Sequence, residues 1–341
     1  MRSGRTIGGR ADAATFTPPL LLRNPHVQTI LASSKLRLRH AYPLVRSARS
    51  IILDAGGGVR LLGWFSAPLP GRPVKGTVII LHGWEGSASS TYCMRTGDRL
   101  FRNGYAVFRL NFRDHGSSHY LNTGLFYASA LDEVFQAVRR AAGMLAGIPA
   151  FIVGFSLGGN FALRIARRCR REPIDNLRHV VCISPVLDPE KATARIDAIP
   201  YIRIYFLKKW RRSLRQKQAL YPQHYDFTPL SAETSVRGLT DALLAGYSDF
   251  SSTRAYFKTY TLLGDALHRI PLPLTLLTAA DDPIIAVEDF EQLRLNRFTR
   301  LSIQHHGGHN GFIDGFGLQS WYEPLLVELF ESVSRGDPAL D

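Results

Sequence analysis

The stretch AFIVGFSLGGN, residues 150–160, decides the fold class because it contains a strand, a tight turn and the start of a helix. Its first six residues form an apolar run that is typical of a strand buried on both faces. Ser156 follows between Gly154 and Gly158, in the pattern Gly-x-Ser-x-Gly. Small neighbours are needed there because strand and helix pack closely around a strained turn that exposes the serine hydroxyl. We therefore expect Ser156 to be a nucleophile, and a glycine-rich turn with an incidental serine is the alternative.

An alternation of strands and helices extends on both sides of this stretch. Residues 50–66 predict two antiparallel strands around a glycine-rich turn. Further apolar runs predict strands at 76–81, 105–111, 179–186, 273–280 and 300–304. Helical patterns cover 90–103, 128–146, 160–171 and 318–334. This order predicts an α/β fold with a mostly parallel, eight-stranded sheet flanked by helices.

The predicted strands stop near Val186 and resume near Pro273, and this gap is too long for a loop in a compact domain. Its pattern is helical, aromatic and basic, as in YIRIYFLKKWRR at 201–212. We interpret it as a helical cap inserted after the sixth strand. The predicted division is an N-terminal wrapping segment (1–48), an α/β core (49–187 and 271–341) and the cap (188–270).

The acid that would assist Ser156 is expected after a later strand, because this fold class places ligands and catalytic groups at the carboxyl ends of its strands. Asp281 and Asp282 directly follow the strand predicted at 273–280. Asp282 is favoured because the Pro-Ile-Ile run that follows it matches an acid-x-apolar-apolar pattern. Asp281 remains the second choice, and Asp188 is the third.

The base is expected in the loop HHGGHNGF, residues 305–312, which directly follows the last predicted strand. His309 is favoured because the two glycines before it allow its ring to turn back toward the serine. His305 and His306 are interpreted as structural or exposed residues. His115, after the strand at 105–111, is a less favoured candidate.

Backbone N–H groups should bind the oxyanion that develops during acyl transfer. One donor is expected to be Leu157, the residue after the nucleophile. The other should come from the loop HGWEGS, residues 82–87, in which Trp84 has the appropriate position. His82 is expected to shape this turn.

The composition narrows the choice of partners. The chain has 341 residues and a formal net charge of +14, which favours contact with anionic surfaces. No nucleic-acid recognition motif accompanies this charge, so a nucleic-acid partner is not expected. The aromatic and basic cap sequence suggests peripheral contact with an anionic membrane, and an ordinary solvated basic face is the alternative.

The three cysteines, Cys93, Cys169 and Cys182, are too sparse for a disulfide framework and lack zinc-ligand spacing. They fit a reducing compartment, and neither a metal nor an organic cofactor is expected. No apolar run approaches the ~18 residues of a membrane span. We therefore expect a cytoplasmic protein, with the inner membrane surface as a peripheral location.

Six motifs together resemble the YheT-like α/β-hydrolases. They are PHVQTI (25–30), LHGWEGS (81–87), NFR (111–113), GFSLGGN (154–160), ADDP (280–283) and GGHNGF (307–312). The first is especially telling because no general rule of the fold requires it. The resemblance implies a charge relay of Ser156, Asp282 and His309 that hydrolyses small-molecule or lipid esters. Trp84 and the segment 114–116 depart from the family's usual residues.

Other functions remain open at this point. A thioesterase or an acyltransferase would use the same three residues with a different substrate or acceptor. A non-catalytic ligand-binding protein on the hydrolase scaffold is the third possibility.

Overall fold

The computed structural model describes residues 5–7, 15–38, 42–68, 71 and 73–335. Nine strands form one sheet: β1 (Arg5–Ile7), β2 (Ala48–Asp54), β3 (Arg60–Ser66), β4 (Thr77–Leu81), β5 (Ala106–Leu110), β6 (Ala150–Phe155), β7 (Leu177–Ile183), β8 (Leu274–Ala279) and β9 (Thr299–Gln304). Their spatial order is β1-β9-β8-β7-β6-β4-β5-β3-β2. All neighbours from β9 across to β5 are parallel, whereas the pairs β1–β9, β3–β5 and β2–β3 are antiparallel.

The predicted fold class is confirmed, and all eight predicted strands are present. Strand β1 is an addition that the sequence did not predict, because three residues are too few to show a period. It lies in the predicted wrapping segment, which falls partly outside the described residues. Strand β5 lies on one side of β4 in the sheet and β6 lies on the other. The chain connections after β4 and β6 therefore run in opposite directions and leave a topological switch point between these strands, where such sheets bind ligands.

Eleven helices belong to the described part of the chain: α1 (Pro25–Ser33), α2 (Pro43–Arg46), α3 (Thr91–Arg102), α4 (Leu131–Ala142), α5 (Leu157–Arg168), α6 (Pro189–Ala198), α7 (Pro200–Leu220), α8 (Val236–Tyr247), α9 (Thr253–Lys258), α10 (Val287–Glu291) and α11 (Tyr322–Arg335). All four predicted helices (α3, α4, α5 and α11) differ from their predicted bounds, and α11 begins four residues late. Helix α5 begins three residues early because the turn at Ser156 leads directly into it. Helix α4 begins three residues late, since the backbone of Ala128 instead bonds to Tyr256 and Arg164.

Two buried clusters hold helices to the faces of the sheet. On one face, α3 and α11 cover the strands, and the Phe151 and Phe330 rings stack with centroids 4.3 Å apart. On the other face, Val134 of α4 and Phe161 of α5 pack against the sheet. Burial of these side chains supplies the main stabilisation of the layers.

Helices α6 to α9 lie between β7 and β8 in the chain, and we call them the insertion helices. Their apolar side chains, among them Leu207, Leu239 and Phe257, join the same buried cluster as α4 and α5. The insertion is therefore packed onto the core through a shared apolar interior. No helix among the described residues is both long enough and apolar enough to cross a membrane.

Candidate active site

The turn after β6 holds Ser156 in a conformation that few residues adopt. Its φ is 54° and its ψ is −116°, so the residue carries backbone strain of the kind found at functional sites. A Cβ atom at Gly158 would lie 2.2 Å from the Leu81 carbonyl oxygen, and one at Gly154 would lie 2.4 Å from the Gly158 carbonyl oxygen. Only glycine fits at both positions, which explains the spacing of the Gly-x-Ser-x-Gly pattern.

Three residues predicted from the sequence come together at this turn. His309 Nε2 lies 2.9 Å from Ser156 Oγ, and His309 Nδ1 lies 2.9 Å from Asp282 Oδ2. The other oxygen of Asp282 accepts hydrogen bonds from the N–H groups of Ile284 and Ile285 at 2.8 and 2.9 Å. All three side chains are buried, so the hydrogen bonds are protected from competing water.

The alternative candidates have other contacts. Asp281 accepts a hydrogen bond from the Gly308 N–H at 2.9 Å and lies 3.3 Å from His306 Nδ1. Asp188 caps the start of α6, where it accepts hydrogen bonds from two backbone N–H groups. His305 is exposed. Among the hydrogen bonds of the described residues, the Ser156 hydroxyl is joined to His309 and to none of these alternatives.

Helix α1 supports the histidine loop from outside the sheet. The Thr29 hydroxyl accepts a hydrogen bond from the His309 N–H at 2.9 Å. The Gln28 side chain accepts one from the Ile313 N–H at 2.6 Å and donates to the carbonyls of Ile313 and Leu22. The motif PHVQTI therefore has a structural explanation, which its sequence alone did not provide.

The loop after β4 presents a free N–H group beside Ser156. The Gly83 N–H donates to the Tyr92 hydroxyl at 3.1 Å, and the Glu85 N–H donates to His115 Nε2 at 3.2 Å. Within the described part of the chain, the N–H groups of Trp84 and Leu157 have no acceptor. These are the two donors that the sequence predicts for an oxyanion.

His82 and His115 hold this loop in place. His82 Nδ1 donates to the Gly83 carbonyl at 2.8 Å, and its Nε2 accepts from the Phe112 N–H. His115 Nδ1 donates to the Arg113 carbonyl at 2.7 Å. Burial lowers the pKa of His115 to about 4, so this ring stays neutral. Both histidines have structural roles in this geometry.

A buried ion pair connects the core to the insertion helices. Lys217 of α7 donates to Asp114 Oδ1 at 2.8 Å, and also to the carbonyls of Asn122 and Gly124. The Lys217 side chain is only 1% exposed. Burial raises the pKa of Asp114 to about 6, although Lys217 opposes this rise. The sequence offered no signal for this pair, because its members are 103 positions apart.

A cavity lies between Ser156 and the insertion helices. It encloses about 840 Å³, including the part that opens to solvent. Its walls are mostly apolar, and the Trp84 ring is stacked on Phe206 of α7 with centroids 5.1 Å apart. Besides His309, its polar side chains are hydroxyls and two indoles, and no Asp, Glu, Lys or Arg occurs among the described residues that line it. The cavity therefore suits an uncharged, largely apolar ligand.

Across 15–38, 42–68 and 73–335, no group of three His, Cys, Asp or Glu side chains is arranged to hold a metal ion. The three cysteines are buried free thiols.

Sequence comparisons give a consistent set of relatives. The profile of the family described as serine aminopeptidase, S33, matches residues 72–309. Monoacylglycerol lipase ABHD2 of Mus musculus is 24% identical over 351 residues, which cover 94% of this chain and 80% of the relative. The Escherichia coli protein YheT is 24% identical over 330 residues, which cover 93% of each chain. The resemblance seen in the sequence motifs is thereby confirmed.

Solved structures show the same fold at lower identity. Pyrococcus furiosus esterase Pf2001 superposes with a TM-score of 0.52 and 18% identity, covering 92% of this chain and 98% of its own. Alpha/beta hydrolase domain-containing protein 10 from mouse gives a TM-score of 0.51 and 14% identity, covering 85% and 99%. These similarities identify the architecture as the α/β-hydrolase fold.

Proposed function

The chain belongs to the family described as serine aminopeptidase, S33. We propose that it cleaves carboxylic esters with Ser156 as nucleophile, His309 as base and Asp282 as the carboxylate that orients the base. One observation carries the proposal. The two ring nitrogens of His309 lie 2.9 Å from Ser156 Oγ and 2.9 Å from Asp282 Oδ2, at the edge of an apolar cavity.

The reaction proceeds in two steps. His309 Nε2 takes the proton of Ser156 as Oγ attacks the ester carbonyl carbon, and the proton then passes to the leaving alcohol. Asp282 orients the imidazole and stabilises its protonated form. Water, deprotonated by His309, attacks the acyl–Ser156 ester, and His309 returns the proton to Ser156 Oγ as the acyl–oxygen bond breaks and the carboxylic acid leaves. The enzyme returns to its starting state without a cofactor.

Backbone donors stabilise the tetrahedral intermediates of both steps. The N–H groups of Leu157 and Trp84 bind the negative oxygen that forms when the carbonyl is attacked. Leu157 is also the first residue of α5, so the positive end of that helix points to the same charge. Donors that are already in place need no reorganisation as the charge develops, which makes them effective in catalysis.

The lining of the cavity favours an ester over a peptide with a free amino terminus. An aminopeptidase must bind the ammonium group of its substrate, and an acidic side chain is the usual partner of such a buried cation. The described residues around the cavity include no acid. The names of the relatives, monoacylglycerol lipase and esterase, agree with an ester whose acyl group is uncharged.

The insertion and the thiols extend the proposal. Residues 188–270 act as a cap over a core formed by 49–187 and 271–341, because the insertion helices supply much of the cavity wall. Within the predicted wrapping segment, helix α1 is bonded to the histidine loop. The three free thiols suit the reducing interior of a cell, and we place the protein in the cytoplasm.

The decisive experiment replaces the nucleophile. Ser156→Ala is expected to lower the turnover of p-nitrophenyl acetate by roughly 10⁴-fold or more, as loss of a triad nucleophile does. A fluorophosphonate probe should label the parent once per chain and leave the variant unlabelled. Ser89→Ala, an exposed serine beside the loop after β4, is the matched control and should behave as the parent.

Two results would overturn this proposal. One is parent-like turnover by folded Ser156→Ala, and the other is labelling of a different serine. Product analysis in the presence of a competing alcohol then tests water as the acceptor, because an acyltransferase would form a new ester.

A further inference from the structure

A group of apolar side chains is exposed next to the cavity, on a short helical turn (Leu20–Leu22), helix α1 and the start of α7. Leu20 and Leu21 are 77% and 76% exposed. These two residues and four others form what we call the apolar patch: Leu20, Leu21, Ile30, Tyr201, Ile204 and Tyr205. Exposed apolar residues that cluster in this way mark interaction sites, whereas scattered ones need no explanation.

Hydrogen bonds join the three segments into one surface. The Nδ1 atom of His26 in α1 lies 2.7 Å from the hydroxyl oxygen of Tyr201 in α7. The Gln28 side chain donates to the Leu22 carbonyl and so binds the turn to α1. The exposed residues Ile30 of α1 and Ile204 of α7 lie one helical turn after His26 and Tyr201, respectively. These bonds hold the turn, α1 and the start of α7 together, although His26 and Tyr201 are 175 positions apart in the chain.

A row of positive charge continues from the apolar patch along α7. Lys208, Arg212 and Arg215 are exposed at spacings of four and three residues, which place them on the same helix face as Ile204. Within the described ranges, none of the three forms an ion pair. We call them the α7 cations. Their charge is part of the net +14 of the chain and is not neutralised locally.

We propose that the apolar patch and the α7 cations bind the surface of a bilayer that contains anionic phospholipids. Apolar side chains enter the boundary between headgroups and acyl chains, while the cations meet the phosphates. Tyr205 packs edge-on against Phe206, with ring centroids 5.4 Å apart, and Phe206 lines the cavity. Bilayer binding would therefore bring the cavity next to membrane-dissolved esters.

The bilayer is a better match than other polyanions because the surface combines two signals. A nucleic acid would be attracted by the α7 cations and would gain nothing from exposed leucines. A bilayer uses both, and a single signal gives only marginal membrane binding. The inference goes beyond ester hydrolysis and is independent of it, since binding needs no catalysis.

The test measures binding in the Ser156→Ala background, so that its outcome does not depend on the proposed reaction. The protein is sedimented with phosphatidylcholine vesicles, with and without phosphatidylglycerol. We expect binding to the vesicles that contain phosphatidylglycerol. Leu20→Ser/Leu21→Ser/Ile204→Ser should weaken this binding by roughly tenfold or more, because apolar burial in the interface is lost. Lys208→Gln/Arg212→Gln/Arg215→Gln should do the same by removing three charges.

Matched controls separate this surface from general effects. Arg167→Gln/Arg170→Gln/Arg171→Gln removes three charges at the far end of α5, and Ile52→Ser removes an exposed isoleucine from the edge strand β2. Both should bind as the parent does. With Ser156 restored, unchanged hydrolysis of p-nitrophenyl acetate shows that each variant is folded.

Three results would overturn the proposal. The first is failure of the parent to sediment with the anionic vesicles. The second is equal loss of binding in the two triple charge variants, which would indicate net charge alone. The third is full binding by the triple serine variant, which would indicate a polyanion site without bilayer insertion.

Discussion

The floor and the roof of the cavity are held by different kinds of interaction. The floor consists of the turns that carry Ser156, Asp282 and His309, and backbone hydrogen bonds fix each turn, with close-packed glycines around Ser156 and His309. The roof consists of the insertion helices, which are held by apolar packing, aromatic stacking and the Lys217–Asp114 pair. The floor allows little variation in residue type, whereas many side chains of suitable volume can form a roof. We therefore expect the rigid part to determine the chemistry and the adaptable part to determine the choice of substrate.

The largest expected effect concerns the acid of the floor. Asp282→Asn should lower kcat/KM for an activated ester by roughly 10³- to 10⁴-fold, because the amide no longer stabilises the protonated His309. Asp281→Asn should cost about tenfold or less, since Asp281 contacts only the loop backbone and His306. Steady-state kinetics of the two purified variants distinguish these neighbours. Equal losses would contradict the assignment of Asp282.

The second prediction concerns the anchor of the roof. Lys217→Met leaves Asp114 and two carbonyls buried without their donor, so the free energy of unfolding should fall by about 3–5 kcal/mol. Urea unfolding measures the change. Adding Asp114→Asn should recover part of the loss, because the unpaired charge is then removed.

Arg215, an exposed residue of the same helix, provides the comparison for Lys217. Arg215→Met, on the same helix but in solvent, should change the free energy of unfolding by less than about 0.5 kcal/mol. If Lys217→Met is equally mild, the ion pair does not hold the roof. If the variant is folded but no longer reacts with a fluorophosphonate, the floor depends on the roof more than the geometry suggests.

The third prediction concerns Glu85, at the junction of floor and roof. Its carbonyl accepts a hydrogen bond from Lys209 of α7, and burial raises the pKa of its carboxyl from 4.5 to about 8. Between these values the folded protein keeps a proton that the unfolded chain releases, so stability falls as pH rises from about 4.5 to 8 and then levels off. The slope from this group is at most ~1.4 kcal/mol per pH unit.

Glu85→Gln has no carboxyl to titrate, so its free energy of unfolding should lack the part of the decline with pH that comes from Glu85. Unfolding in urea at several pH values between 5 and 9 measures the difference between variant and parent. Glu291→Gln, at an exposed glutamate, is the control. Curves that remain parallel for Glu85→Gln and the parent would refute the shift.

The smallest expected effect concerns the support of the floor by α1. Thr29→Val has nearly the same shape but cannot accept the hydrogen bond from the His309 N–H. We expect kcat to fall about tenfold with little change in KM, because the base is less well positioned. Thr29→Ser should restore activity. A change confined to KM would show that Thr29 acts on binding instead.

The floor was predictable from the sequence because its parts follow local rules. A glycine two residues before and after Ser156 is required by packing within five positions of chain, and a strand end marks each of the other groups. The positions of the eight strands along the chain also follow from the alternation of short strand and helix patterns. Strand β1 was missed because three residues show no pattern.

The roof was predictable only as a helical region. Its contacts depend on which side chains meet across about 100 positions, as Lys217 and Asp114 do, and no local pattern encodes that pairing. The role of Thr29 was missed for the same reason. Its motif was visible in the sequence, but its partner His309 lies 280 positions away.

The contact between α1 and the histidine loop has a consequence for folding during synthesis. Gln28 and Ile313 are 285 positions apart, so the chain must be synthesised as far as Ile313 before this contact can form. Contacts of such sequence separation close late in folding. The turn at Ser156 can therefore form on the nascent chain before His309 has a fixed position.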